Sequence, residues 1–186
     1  MQAIKTEINE GIWTQFDETE DIFDLCSILK LFFKELTKPL IPWNLIPELY
    51  VASNAASKEI RIQSIIQCLS TLPISHQATL KFLLKHLLKI EAFKDDNKMT
   101  FANIGVCFAP SLTMPPDSGV EPDDVNRVTD LAFVMQRLLK QFEDIYSNTV
   151  WKFHDFCIIQ ILREINFKDF LMRKINHFNT FRGSEF

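Results

Sequence analysis

Residues 19–36, TEDIFDLCSILKLFFKEL, contain the most regular helical pattern of this 186-residue chain. Apolar side chains recur there every three or four positions and form one stripe along a helix. Lys30 and Lys34 lie one turn apart on a more polar face. Pro39 and Pro42 are expected to end the helix, because proline cannot continue the helical hydrogen bonding. The stripe consists of Ile22, Leu25, Leu29, Phe32, Phe33 and Leu36.

The same periodicity predicts further helices along the chain, each preceded by a residue that can cap it. No alternating strand pattern competes with them, and only 4 glycines are present to form tight turns. We therefore predict an all-α helical bundle. The expected features are a helix end at residues 1–11, helices capped by Ser57, Ser75 and Thr100 (the last stopped by Pro110), loops at 94–98 and 113–124, and a final helix at 124–146.

Composition and charge exclude several classes of function. The chain is 47% hydrophobic with a net charge of −4, which argues against disorder and against generic nucleic-acid binding. No two glycines are close enough for a phosphate-binding loop, and the four histidines have no acid or nucleophile pattern around them. No apolar run is long enough to span a membrane. The cysteines are expected to be reduced, buried thiols of an intracellular protein: Cys26, Cys68, Cys107 and Cys157.

The composition changes near residue 148. Residues 151–186 hold seven of the 17 phenylalanines, and their apolar positions surround almost the whole circumference of a helix. Such a segment requires burial on several sides. We therefore predict one domain at residues 1–147 and a separate helical tail at 148–186. The tail is expected to promote association or to cover apolar surface, with adsorption to a membrane as a minor alternative.

Three phrases occur in order along the chain: ILKLFFKELTKPLIP at 28–42, LPISHQATLKFLLKHL at 72–87 and NKMTFANIGVCFAPSL at 97–112. Together they resemble the Rho GTPase-activating protein (RhoGAP) domain family, which shows LLKxFxRELPEPLIP-like, LPxxNxxTLxxLxxHL and KMTxxNLxxVFxPxL segments. The resemblance covers roughly residues 1–147. It implies an all-helical bundle, which agrees with the helices predicted from periodicity.

The resemblance implies a GTPase-binding set of Lys30, Lys34, Asn103 and Ser111. Lys30 matches a lysine of the family's GTPase-facing groove. Lys34 replaces an arginine, so it keeps the charge but loses the bidentate geometry. Asn103 has mainly a structural role in helix packing, and Ser111 replaces an asparagine that reaches further. His76 replaces the asparagine of the second phrase, where it can cap or bridge.

The family's catalytic arginine lies in a G-[IFL]-[FY]-R-x-[SP]-G loop, and this sequence contains no such phrase. We therefore expect an N-terminally truncated RhoGAP-like domain that regulates a Rho/Rac-type GTPase in its GTP-bound form with impaired stimulation. It would have no catalysis or cofactor of its own. The expected location is the cytoplasm, with peripheral membrane contact as an option. The alternatives are a non-catalytic protein-binding module and a non-functional fragment.

Overall fold

The computed structural model describes residues 22–113 and 122–147. Within these ranges all regular secondary structure is helical, which confirms the predicted fold class. Residues 22–29 belong to one compact unit, and residues 30–113 and 122–147 to another. The helices are α1 (Ile22–Lys34), a 3-10 turn (Trp43–Leu45), α2 (Ile46–Ser53), α3 (Lys58–Ser70), α4 (Ile74–Glu91), α5 (Lys94–Asn97), α6 (Phe101–Thr113), α7 (Pro122–Lys140) and α8 (Phe142–Tyr146).

The core of the larger unit is built from the apolar stripes of α3, α4, α6 and α7. Each stripe recurs at three- and four-residue spacing, so each helix buries one side. On α4 the leucines at helical spacing are buried, except Leu88, which is only half-buried. The buried set includes Ile65, Ile66 and Leu69 of α3, Leu80, Leu83, Leu84 and Leu87 of α4, Ile104, Phe108 and Leu112 of α6, and Leu131, Val134 and Leu138 of α7.

Helices α6 and α7 are in close backbone contact at Gly105. A Cβ atom added to Gly105 would overlap the backbone carbonyl of Ala132 on α7. Glycine is required here because a helix backbone, unlike a flexible side chain, cannot move aside without disturbing its own hydrogen bonds. This contact, which we call the α6–α7 seam, holds α6 against the rest of the bundle.

Two of the predicted helix starts have different outcomes. Ser57 caps α3 as predicted, since its Oγ accepts a hydrogen bond from the Ile60 N–H at 3.4 Å. The prediction for Ser75 was wrong: α4 begins at Ile74, Pro73 occupies the cap position, and no side chain caps the helix. Proline suits this position because the first helical N–H groups have no intrahelical acceptor to lose.

The prediction that Pro110 stops its helix was also wrong, because α6 continues to Thr113. Pro110 cannot donate to the carbonyl of Val106 one turn earlier. Both residues are exposed, so the carbonyl that loses its donor lies at the surface, where water can satisfy it. Proline is tolerated within a helix on this side for that reason.

Three further boundaries differ from the sequence prediction. Residues 94–97 form one helical turn rather than a loop, and Lys98 ends it in the left-handed conformation at φ 61°. The single helix predicted at 124–146 is two helices, separated at Gln141. Helix α2 and the preceding 3-10 turn were not predicted. Of the predicted loop 113–124, Thr113 and residues 122–124 are helical and the rest lies outside the described residues.

The expectation of buried thiols is corrected as well. Cys26 and Cys107 are exposed, and Cys68 is half-buried, with burial raising the pKa of its thiol. Cys157, the tail and residues 1–11 lie outside the described residues, and the domain boundary near residue 148 stays a prediction. None of the helices in the described part of the chain is long and apolar enough to cross a membrane.

Candidate functional site

The segment between α1 and the 3-10 turn, Pro39-Leu40-Ile41-Pro42, is held by two other helices. The side chains of Leu40 and Ile41 are almost completely buried. The N–H of Ile41 donates to the carbonyl of Leu112 near the end of α6 at 3.0 Å. Nδ1 of His76 on α4 lies 3.1 Å from the carbonyl of Leu40. We call this segment, with its two hydrogen bonds, the clamp.

The clamp brings the three sequence phrases together in space. A carbonyl only accepts hydrogen bonds, so Nδ1 of His76 must carry the proton in this contact. His76 therefore bridges α4 to the segment, which is one of the two roles that the sequence predicted for it. The Leu112 carbonyl lies within four residues of the α6 end, where helical acceptors lack intrahelical donors. Ile41 supplies that missing donor from the first phrase.

Lys30 and Lys34 lie on α1, immediately before the clamp. Phe33 between them is 2% exposed, and its burial fixes the rotation of this part of α1 about its axis. Phe32 packs edge-to-face against Phe33, with ring centroids 5.3 Å apart. As a result Lys34 is exposed and Lys30 half-buried. Neither lysine forms an ion pair with another residue of the described ranges.

Asn103 stabilises the turn that begins α6. Its Nδ2 donates to the carbonyl of Lys98 at 2.6 Å, and its backbone N–H donates to Thr100 Oγ1 at 3.3 Å. The second bond confirms Thr100 as a capping residue. Asn97 adds to this turn, since its Oδ1 accepts from the Met99 N–H at 2.8 Å. The side chain of Asn103 is exposed and engaged with its own turn, so its structural role is local rather than between packed helices.

Ser111 lies beside Leu112 at the clamp and is 9% exposed. Burial leaves its hydroxyl little surface to offer a partner. Eight residues separate it from Asn103, which is about 12 Å along the α6 axis. The clamp therefore adjoins Ser111 and the lysine-bearing part of α1, whereas Asn103 lies at the other end of α6. Their assignment to GTPase binding stays a prediction.

Sequence reasoning missed one further contact beside the clamp. Trp43 directly follows Pro42, and the guanidinium of Arg127 on α7 lies 5.2 Å from the centre of its ring. A guanidinium over an indole face is attracted by the ring quadrupole. The contact joins α7 to the 3-10 turn. No local sequence motif predicts this contact, because the two partners are 84 residues apart in the sequence.

The architecture and these motif segments agree with comparisons to known proteins. The family model described as RhoGAP domain matches residues 1–117. Rho GTPase-activating protein gacJ of Dictyostelium discoideum is 29% identical over 147 residues, covering 79% of this chain and 16% of that protein. Human Rho GTPase-activating protein 1 is 30% identical over 128 residues, covering 69% of this chain and 29% of that protein.

Solved structures share the fold. The BH domain from GRAF, the GTPase regulator associated with focal adhesion kinase, superposes with a TM-score of 0.66 at 23% identity, covering 79% of each chain. Human Rho GTPase activating protein 15 gives a TM-score of 0.68 at 24% identity, covering 78% of this chain and 69% of that one. The chain belongs to the RhoGAP domain family. It spans less than a third of the length of the two curated relatives described above.

Proposed function

We propose that this chain binds a Rho-family GTPase in its GTP-bound form and acts as a regulator of that GTPase, with weak stimulation of hydrolysis. The supporting observation is the clamp, which joins the three family phrases. Lys30 and Lys34 precede it in the sequence and have no ion-pair partner in the described part of the chain. The named relatives are Rho GTPase-activating proteins. A cytoplasmic location is part of the proposal.

The clamp supports binding because it limits the motion of the surface it carries. Holding the segment that follows Lys34 against α4 and α6 before a partner arrives lowers the entropy lost on association. The two lysines then present positive charge from a positioned helix rather than from a loop. Lysine in place of arginine at position 34 supplies attraction without a fork of two parallel hydrogen bonds. Binding is therefore expected to be sensitive to salt.

Stimulation is proposed to be weak because residues 1–186 contain no G-[IFL]-[FY]-R-x-[SP]-G phrase. An arginine supplied to the transferring phosphoryl group contributes roughly 10³–10⁵ in rate. Single-turnover GTP hydrolysis by a Rho-family GTPase, with and without saturating chain, measures this directly. We expect less than about a tenfold increase, against the ~10³–10⁵ of a complete site. A larger increase would show that another arginine reaches the nucleotide.

The binding part of the proposal is tested with matched charge reversals. Lys30→Glu/Lys34→Glu should weaken binding to the GTPase loaded with a non-hydrolysable GTP analogue by at least about tenfold, the equivalent of ~1.4 kcal/mol. Lys85→Glu/Lys89→Glu changes the net charge equally on α4 and serves as the control. An equal loss of affinity in both variants would mean that net charge, and not the position of the lysines, controls binding. Unchanged binding in the α1 variant would remove this surface from the proposal.

The two measurements together separate the alternatives. Lysine-dependent binding without acceleration identifies a non-catalytic binding module. Lysine-dependent binding with a small acceleration identifies an impaired activator. Absence of both in a folded protein would contradict the proposal and leave the fragment interpretation.

A further inference from the structure

Position 38 carries the opposite charge from the one that the family pattern gives it. Residues 34–39 read KELTKP where the pattern reads RELPEP, so Lys38 stands in place of a glutamate. Over residues 28–42 this chain has three lysines and one glutamate, a charge of +2. The charged positions of the pattern, one lysine, one arginine and two glutamates, sum to zero. The segment is therefore basic, although the whole chain carries a net charge of −4.

The surface around Lys38 is open. Lys34, Glu35, Thr37 and Lys38 are all exposed, and Leu36 among them is half-buried. Lys38 forms no ion pair with any residue that the structure describes. Its positive charge is therefore not neutralised by a neighbour in the described part of the chain.

The backbone on both sides of Lys38 is held in place. The N–H of Leu36 donates to the carbonyl of Phe33 at 3.4 Å, so helical hydrogen bonding continues past the end of α1. The clamp begins directly after Lys38, and the side chain of Leu40 is 1% exposed. Only Thr37 and Lys38 lie between these two anchored parts. Lys38 is thus presented from a positioned backbone rather than from a long loop.

Lys38 and Lys34 are close enough to contact the same partner. Four residues of chain span at most about 14 Å between the two Cα atoms, even when fully extended. A lysine side chain adds a flexible four-carbon stem at each position. A protein that buries about 800 Å² on this side, the usual extent of a specific interface, covers both residues.

We propose that Lys38 determines which Rho-family GTPase the chain prefers, by selecting one that presents carboxylate groups opposite it. This inference rests on the proposed function, which places the GTPase on the α1 lysines before the clamp. Charges at an interface contribute to the choice of partner, because unlike charges attract and like charges repel. A glutamate at position 38, as in the family pattern, would favour a neutral or basic GTPase surface there. Lys38 reverses that preference.

Affinity measurements with a Rho-type and a Rac-type GTPase, each loaded with a non-hydrolysable GTP analogue, test this inference. The 186-residue chain is compared with its Lys38→Glu and Lys38→Arg variants. The GTPase that binds the original chain more tightly should bind Lys38→Glu about tenfold more weakly, because repulsion replaces attraction. The other GTPase should lose less than about threefold. Lys38→Arg keeps the charge and should keep the ratio of the two affinities.

Lys85→Glu on α4 is the matched control, because it makes the same change of net charge at another exposed position. It should change each affinity by less than about twofold, since distant exposed charges are screened. Added salt should narrow the preference of the original chain and affect Lys38→Glu less. A merely structural role of Lys38 would not produce a preference that depends on salt. Circular dichroism verifies that each variant is folded.

The outcomes separate this inference from the proposed function. If Lys30→Glu/Lys34→Glu weakens binding but Lys38→Glu leaves the ratio of affinities unchanged, the proposed function stands and the role of Lys38 is overturned. Tighter binding by Lys38→Glu would mean that the facing GTPase surface is basic, which also overturns it. Equal affinity of the original chain for both GTPases would leave no preference for Lys38 to determine. Absence of binding to either GTPase would contradict the proposed function, and this inference with it.

Discussion

The α6–α7 seam and helix α4 are held in the same bundle by different physical means. At the seam, the backbone of Gly105 meets the backbone of Ala132, and no side chain separates them. Helix α4 instead packs through the side chains of its leucines, and some of its buried polar groups are held by individual hydrogen bonds. Nε2 of Gln77, for example, donates to the carbonyls of Leu72 at 2.6 Å and of Ser70 at 3.3 Å.

The difference indicates which changes each region tolerates. Added volume at the seam must displace a helix, because a backbone carbonyl cannot change rotamer. Helix α4 can adjust to modest changes of volume, since leucine side chains repack. It is sensitive instead to a buried polar group that loses its partner or gains a charge. The two regions should therefore respond to opposite kinds of substitution.

The seam is broken most directly by Gly105→Val. The branched side chain would overlap the Ala132 carbonyl, and we expect a loss of about 3 kcal/mol in the free energy of unfolding, the upper part of the range for overpacking. Urea denaturation followed by circular dichroism measures it. Cys107→Val introduces the same residue on the exposed side of α6 and should change stability by less than about 0.5 kcal/mol. Similar losses in the two variants would mean that the seam is not closely packed.

Sequence could predict the helices whose apolar stripes are long, and it located α1, α3, α4, α6 and α7. The stripe of α2 is short, and Pro47 lies at its second position soon after Pro39 and Pro42, so no helix was predicted there. Proline at the start of a helix costs nothing, whereas the same residue in the interior removes a hydrogen bond and kinks or ends the helix unless, as at Pro110, the freed carbonyl is exposed. Local sequence does not distinguish these cases, nor did it reveal that Pro110 faces solvent.

The candidate site was predicted less completely than the fold. The phrases proposed Lys30 and Lys34 as GTPase-binding residues, which stays a prediction, and they proposed a bridging role for His76, which the structure shows. The pairing of Ile41 with Leu112 depends on the three-dimensional path of the chain, and no side-chain pattern encodes a backbone hydrogen bond. The burial of Ser111 follows from how α6 packs. A residue that was expected at a partner surface is therefore almost completely buried.

His86 makes the stability of α4 sensitive to protonation. Its Nδ1 is buried without a hydrogen-bond partner among the described residues. Burial, and secondarily the charge of Lys89, lowers the pKa of His86 to about 4 from 6.5. The unfolded chain therefore binds a proton at a higher pH than the folded chain does, and stability falls as pH drops from about 6.5 towards 4.

We expect His86 to remove about 2 kcal/mol of unfolding free energy between pH 7 and pH 5. His86→Leu cannot take up that proton, so the part of the decline that is due to His86 should be absent over this interval. Urea denaturation at several pH values compares the two proteins, and above pH 7 their curves should run parallel. An unchanged slope in His86→Leu between pH 7 and pH 5 would show that another group controls the acid response.

The smallest expected change in stability concerns the first residues of α3 and α4. The sequence predicted a serine cap for both helices. Ser57 accepts a hydrogen bond from Ile60 N–H, so Ser57→Ala should cost about 0.5 kcal/mol, the low end for a cap whose bond is 3.4 Å long. Ser75 lies inside the first turn of α4, where alanine is the better helix former. Ser75→Ala should therefore be neutral or stabilise by up to about 0.5 kcal/mol. Paired thermal melts decide the sign, and an equal loss in both variants would mean that Ser75 does cap α4.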